Sequence, residues 1–264
     1  MPNWQRFGST WEQLGRKNPL GAILTVDNEM AEWNIGEFLA TGRADVSRFM
    51  ADFERLSPNT PRTRLLDFGC GVGRVTRVFA GCFDTVVGVD VAPSMIEWAQ
   101  TLHADCDHCT FLVNRAPNLK IFPSESFSVV YSRIVLQHIR AGIVERYIPE
   151  LIRVLQPGGV LMFQLPEVHS VDSLRTFERA AVVGPLKQRL PKGVVLAWRR
   201  LKYALLTHGP GSARMEMYGM DREEVEGHIR DGGGVLLEAK PDDSHGPEGS
   251  GYEYWVTKPA APRA

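Results

Sequence analysis

The chain has 264 residues, of which 44% are hydrophobic and 23% charged. That mixture excludes a disordered, collagen-like or disulfide-scaffold protein, and the length suits one large domain with an elaboration. Thirty basic and 31 acidic side chains leave a formal charge of -1, which argues against wholesale nucleic-acid binding. No apolar run nears the roughly 18 residues that cross a bilayer, and residues 1–6 carry no apolar h-region. With four irregularly placed cysteines, the expectation is a cytoplasmic protein in a reducing compartment.

Residues 1–60 read as a helical cap. Ser9 and Glu12 have capping-box spacing, and Val46, Phe49, Met50 and Phe53 recur at helical intervals until Ser57 and Pro58 stop them. From Arg64 the pattern changes to short apolar runs, at 65–68, 85–89, 110–113, 127–131 and 160–165, each read as a strand buried on both faces. Helices are predicted between them at 74–80, 94–103 and 142–155, the last closed by Gln156, Pro157, Gly158 and Gly159. Strand and helix alternating in this way specify an α/β fold, a doubly wound, mostly parallel sheet with helices on both faces. In such sheets ligands bind at the carboxyl ends of the strands. After residue 165 the alternation pauses, and 166–216 is expected to be a helical lid insertion on the 61–165 core. Residues 217–264 return to the sheet with a helix at 221–231 and strands at 234–240 and 252–258, whose short connection makes them antiparallel.

The most informative stretch is Asp67, Phe68, Gly69, Cys70, Gly71, Val72, Gly73 and Arg74. A strand runs into three glycines and then a helix, a turn that lets backbone approach a ligand and aims helix N–H groups at it. A dinucleotide fingerprint starting at Gly69 would need glycine where Arg74 stands, and no P-loop Gly-Lys-Ser/Thr ending is present. Asp67 instead sets a carboxylate two residues before the first glycine, which suits a ligand bearing an ammonium or sulfonium better than a pyrophosphate. Asp90 ends the second strand, where a carboxylate can accept from both hydroxyls of a ribose. The alternative for Asp90 is a turn or cap residue before Pro93.

These elements, with the Phe-Ser-Val-Val-Tyr-Ser strand at 127–132 and the Leu-Gln-Pro-Gly-Gly turn at 155–159, make the chain resemble the class I S-adenosylmethionine-dependent methyltransferases. The resemblance covers residues 63 to 165 and, more loosely, the last two strands. It implies a Rossmann-like seven-stranded sheet with an antiparallel last strand, and S-adenosyl-L-methionine as cofactor. It implies that Asp67, Gly69, Cys70, Gly71 and Gly73 hold the methionine moiety, that Asp90 holds the ribose, and that Val91 and Met95 pack near adenine. Where relatives carry Gly-Asp-Ala after the third strand, this chain has Asn114, Arg115 and Ala116. Adenine recognition is therefore expected from Asn114, Arg115, Asn118 or backbone groups. Ser132, closing the fourth strand, is the last cofactor-side candidate.

Methyl transfer is an in-line displacement, so alignment and exclusion of water dominate. An oxygen acceptor also loses a proton, for which histidine is the usual base near neutral pH. His138 after the fourth strand, His169 after the fifth and His245 after the sixth are the catalytic candidates; for each, packing, capping or plain solvation is the competing reading. If nitrogen or carbon is methylated instead, His138→Ala should cost little. A domain that binds cofactor without turnover, and an NAD-dependent oxidoreductase, are the other classes. His103, Cys106, His108 and Cys109 form a compact cluster of a kind zinc accepts, but it lies away from the reaction face and no metal site is assigned. The insertion carries eight basic and no acidic residues from 179 to 215, whereas 221 to 253 holds ten acidic and three basic. A solvated basic lid is one reading. A lid for an anionic or amphiphilic small molecule is the sharper one. No nucleic-acid partner is expected, and oligomeric state is not specified.

Overall fold

In the computed structural model, residues 2–26, 29, 30, 32–167, 217–242 and 251–260 are described. Of the lid expected at 166–216, residues 168–216 lie outside the described residues, as does the loop at 243–250, and with them His169 and His245.

Seven strands form one sheet: β1 (Arg64–Phe68), β2 (Thr85–Asp90), β3 (Cys109–Val113), β4 (Phe127–Ser132), β5 (Leu155–Pro166), β6 (Val235–Pro241) and β7 (Gly251–Thr257). Their order is β3-β2-β1-β4-β5-β7-β6, with β1 to β5 parallel and β7 antiparallel to both neighbours. The sheet is therefore the expected α/β one. Around it lie α1 (Pro2–Lys17), α2 (Pro19–Ile23), α3 (Ile35–Leu56), α4 (Thr76–Phe79), α5 (Pro93–Leu102), α6 (Ala141–Arg153) and α7 (Arg222–Asp231).

Because successive strand residues face opposite sides, each continuous apolar run feeds two cores. Leu65, Val86, Val129, Val160 and Trp255 pack under α3 with Phe49 and Phe53. Leu66, Val87, Val130, Leu161 and Val256 pack on the other side with Tyr147 of α6, Val225 of α7 and Trp4 of α1. Each such side chain, fully buried, contributes about 1.5–3 kcal/mol. The sheet is thus held from both faces, and its carboxyl edge becomes a fixed platform for the loops that leave it.

Four local expectations need correction. Strand β3 is not buried on both faces: Leu112 and Val113 are 38% and 39% exposed, because β3 is the sheet edge. The predicted helix at 74–80 shrinks to the four residues of α4, since Gly71 and Gly73 hold the preceding turn at φ +54° and +80°. Strand β5 begins at Leu155, so the Gln-Pro-Gly-Gly stretch lies within it; the pairing slips from Phe127↔Leu155 to Val129↔Val160, and the surplus residues are absorbed there. Ser9 and Glu12 form no capping box, since both lie inside α1. Ser9 donates back to the Gln5 carbonyl, and Glu12 reaches across to accept from Ser94 N at 3.0 Å in the first turn of α5.

The Cys/His cluster also resolves into local bonds. Cys106 and Cys109 are joined as a disulfide that closes one turn, His103 Nε2 meets the Val72 carbonyl at 3.0 Å, and His108 Nδ1 meets that of Asp84 at 2.9 Å. The two imidazoles are therefore engaged with separate backbone carbonyls. No described helix is long and apolar enough to cross a membrane.

Candidate active site

A cleft open to solvent lies at the carboxyl ends of β1, β2 and β4. There β1 has β2 on one side and β4 on the other, so chain order reverses, which is where open α/β sheets bind ligands.

The glycine turn forms its floor. Gly69 N and Cys70 N both donate to the Val89 carbonyl, at 2.8 and 3.1 Å, fastening the turn to β2. Gly69 and Gly71 have φ of +79° and +54°, and a Cβ on Gly69 would run into the Val135 side chain; only glycine fits such a position without strain. Gly71 N donates to Asp90 Oδ2 at 3.0 Å and Ala92 N to Oδ1 at 2.9 Å. A carboxylate offers about four lone-pair sites, so Asp90 is held rigidly and still has acceptor capacity. Burial pushes its carboxyl above the usual range, against the backbone N–H groups that lower it.

Asp67 is buried and accepts from Thr76 Oγ1 at 2.5 Å. Burial pushes its carboxyl up to about 7, a rise opposed by the Thr76 hydroxyl and by Arg74, and reinforced by Asp90. Two nearly enclosed carboxyls at one end of a cleft favour a ligand bringing positive charge. Burial, with Asp67 and Asp90 nearby, raises the Cys70 thiol well above its ordinary value, which makes Cys70 a neutral wall and not a nucleophile.

Two arginines also line the cleft. Arg74 Nη1 lies 2.7 Å from Asp45 Oδ2 of α3 and 3.1 Å from the Thr41 hydroxyl. Arg133 Nε lies 3.2 Å from Glu253, and its Nη atoms lie 3.5 Å from Asp45 and Asp242. Between Arg133 and the 3-10 turn Leu136–His138, Ile134 takes φ +59°, a strained conformation for a β-branched residue. Its N–H is met by the Gln164 side chain at 3.0 Å.

Helix α1 supplies the remaining wall. Trp4, Phe7 and Trp11 follow one another by three and four residues, so they share one helix face. Trp4 and Phe7 stack at 5.0 Å, Trp11 meets the His138 ring edge-on at 5.1 Å, and Trp4 Nε1 donates to the Arg115 carbonyl at 2.6 Å. The aromatic spacing was visible in the sequence; which cleft it would cover was not. Arg74 and Arg133 were also missed as cleft groups, because their shared partner Asp45 lies 88 residues before Arg133 and only the fold unites them.

Of the sequence candidates, Asp67, Gly69, Cys70, Gly71, Asp90, Val91, Met95, Asn114 and His138 line this cleft. Gly73, Arg115, Asn118 and Ser132 do not border it. Gly73 sits under His103 and Phe111, Ser132 is a buried hydroxyl with no hydrogen-bond partner among the described residues, and Arg115 contributes its carbonyl to Trp4. Asn114 spans its own turn, donating to the Asn118 carbonyl at 2.7 Å and accepting from Ala116 N at 3.2 Å.

Residues 66–163 match the family model described as a methyltransferase domain. The chain is 33% identical over 121 residues to the 2-methyl-6-phytyl-1,4-hydroquinone methyltransferase of Synechocystis sp., covering 46% of this chain and 37% of that one. It is 29% identical over 163 residues to the trans-aconitate 2-methyltransferase of Methylobacterium radiotolerans, covering 59% and 58%. It spans less than two thirds of the length of either relative. Its fold is similar to that of the magnesium protoporphyrin IX methyltransferase of Synechocystis PCC 6803 with bound SAM, with a TM-score of 0.57 at 13% identity over 96% of this chain and 97% of that one.

Proposed function

We propose that the chain, whose residues 66–163 match a methyltransferase-domain family, transfers a methyl group from S-adenosyl-L-methionine to an oxygen of a small-molecule acid. The observation that carries this reading is a cleft with the buried Asp67 and the part-buried Asp90 on its floor and two nearly buried arginines on its wall. Asp67 suits the positively charged methionine end, the Gly69 to Gly71 turn leaves room for close backbone approach, and Asp90 keeps acceptor sites for ribose hydroxyls. The cofactor, when bound, supplies an electrophilic methyl on a sulfonium; as the new C–O bond forms and the C–S bond breaks, a carboxylate becomes a neutral ester without releasing a proton.

The arginines suit the acid. Both contacts of Arg74 to described residues leave from Nη1, so its Nε and Nη2 hydrogens remain to meet an anion. The relative acting on trans-aconitate, a carboxylate by name, is consistent with this reading. The aromatic face of α1 closes one side and excludes water, which strengthens every charge contact inside.

A second reading has a specific observation behind it. The aromatic wall and the relative named for a phytyl hydroquinone suit an amphiphilic, hydroxyl-bearing acceptor. Such an acceptor needs a base, and His138 is the candidate on the described cleft wall.

Calorimetry with S-adenosylhomocysteine and with NAD tests the cofactor half: the first should bind and the second should not. A panel of di- and tricarboxylates beside phenols and amines tests the acceptor half. Methyl ester formation detected by mass spectrometry is expected from the acids. Products from phenols or amines alone would overturn the acid reading.

A further inference from the structure

A buried chain of side-chain amides ends at His138. Ile134 N lies 3.0 Å from Gln164 Oε1, Gln164 Nε2 lies 3.4 Å from Gln137 Oε1, and Gln137 Nε2 lies 3.3 Å from His138 Nε2. All three side chains are buried: Gln164 is 0%, Gln137 5% and His138 9% exposed.

The direction of this chain is fixed at one end. A carboxamide can be turned over and an imidazole can carry its proton on either nitrogen, but a backbone N–H can only donate. Ile134 N–H therefore requires oxygen at Gln164 Oε1. That leaves the Gln164 amide nitrogen to donate toward Gln137 and requires oxygen there. Gln137 then has its own N–H₂ aimed at His138 Nε2, which must accept with its lone pair. Turning any member over would set donor against donor in a buried site. The backbone around Gln137 is fixed too, because Tyr218 N donates to its carbonyl at 2.6 Å.

We propose that Gln164 and Gln137 are positioning residues that hold His138 on the cleft wall as the neutral tautomer protonated at Nδ1, with Nε2 occupied as an acceptor. The relay also explains why Ile134 tolerates φ +59°, since the same Gln164 oxygen anchors the strained peptide. Its meaning for catalysis rests on the methyltransferase reading above. An imidazole whose Nε2 lone pair is taken and whose Nδ1 already bears a proton does not remove one from a substrate. His138 then shapes the wall beside Trp11, and the acceptor must arrive ionised, as a carboxylate does, or react as a neutral nucleophile.

The test is two-bond ¹H–¹⁵N correlation on the full chain labelled at histidine ring nitrogens, at about pH 8, where ordinary imidazoles are neutral. His138→Gln assigns the signals by their loss. The wild-type chain should show His138 protonated at Nδ1 over Nε2 by more than about tenfold. Gln164→Met removes the anchor and leaves the ring untouched, so the ratio should fall several-fold toward an even mixture. Gln137→Met, which keeps the bond between Gln164 and Ile134, should do the same and decides the matter if Gln164→Met does not fold. A wild-type His138 protonated at Nε2, an even mixture, or a single Nδ1–H tautomer that survives in the folded variants would overturn the relay. The measurement needs no cofactor or acceptor. Failure of S-adenosylhomocysteine to bind would instead overturn the methyltransferase reading and leave the relay standing.

Discussion

Replacing Asp67 by asparagine should make the ligand-free protein more stable at alkaline pH while weakening cofactor binding. In the folded chain burial holds this carboxyl up at about 7, against an ordinary value of 3.8. For a carboxyl raised by folding the linkage runs opposite to the usual acid case. The native state binds the extra proton between the two values, so the burden of the buried charge is absent below about pH 4, grows as pH rises, and is complete above about pH 7. The gap between 3.8 and about 7, at about 1.4 kcal/mol per pH unit, amounts to about 4 kcal/mol. Asparagine removes the charge and still accepts from the Thr76 hydroxyl, but its amide N–H₂ needs partners and returns about 1–3 kcal/mol of the gain. Urea denaturation of both proteins from pH 5 to pH 8 without ligand is the assay. The stability difference, variant minus wild type, should climb by about 1.4 kcal/mol per unit up to pH 7 and then level off. Calorimetry at pH 8 should show weaker S-adenosylmethionine binding by at least about tenfold, from the loss of one charge-assisted contact. A difference that is flat with pH, or that falls as pH rises, would refute the argument that Asp67 is a desolvated acid.

Other substitutions probe separate parts of the site. Gly69→Ala, at φ +79° and facing Val135, should destabilise by about 1–3 kcal/mol, whereas Gly142→Ala, in α6 with open space around it, should be neutral or stabilising by up to about 1 kcal/mol; thermal melts compare the two. Arg133→Met should cost about 1–3 kcal/mol in denaturant, because it removes the nearest cation of the buried Glu253 while Asp45 keeps Arg74. Trp4→Phe loses the bond to the Arg115 carbonyl but keeps much of the stacking, so a loss of about 1 kcal/mol is expected. Asp90→Asn should weaken S-adenosylhomocysteine binding by about tenfold or more in calorimetry, because one oxygen that fixes the turn or receives the ribose becomes a donor.

How much of this could be read beforehand follows from the range of each interaction. The strands at 64–68, 85–90 and 127–132 declared themselves because both faces of each are filled locally by apolar residues, and the glycine turn because its conformations demand glycine. The Gln-Pro-Gly-Gly stretch read as a terminator because turn chemistry is local, while its absorption into β5 depends on pairing with β4. Ser9 and Glu12 matched a capping pattern, yet the Glu12 carboxylate serves a helix 82 residues away. His138 was found by its place after a strand. The tautomer proposed for it depends on Gln164, 26 residues further on, through Gln137, and spacing in the sequence cannot show the polarity of such a chain.

The aromatic face of α1 also bears on the order in which the molecule is assembled. Helix α1 precedes every strand of the sheet; Leu14 packs beside the nearby Ala22 and Phe38, yet the contacts with Ser94, Arg115 and Tyr147 wait for distant elements, and the bonds to the first two span 82 and 111 residues. Contacts that close loops of such length carry an entropic cost which only a formed partner surface repays. A helix that precedes the sheet in the chain is thus expected to dock after the sheet has formed. A nascent or refolding chain would pass through a stage in which the sheet is complete and the cleft stands uncovered, and ligand present at that stage could enter before Trp4 and Trp11 shut the side.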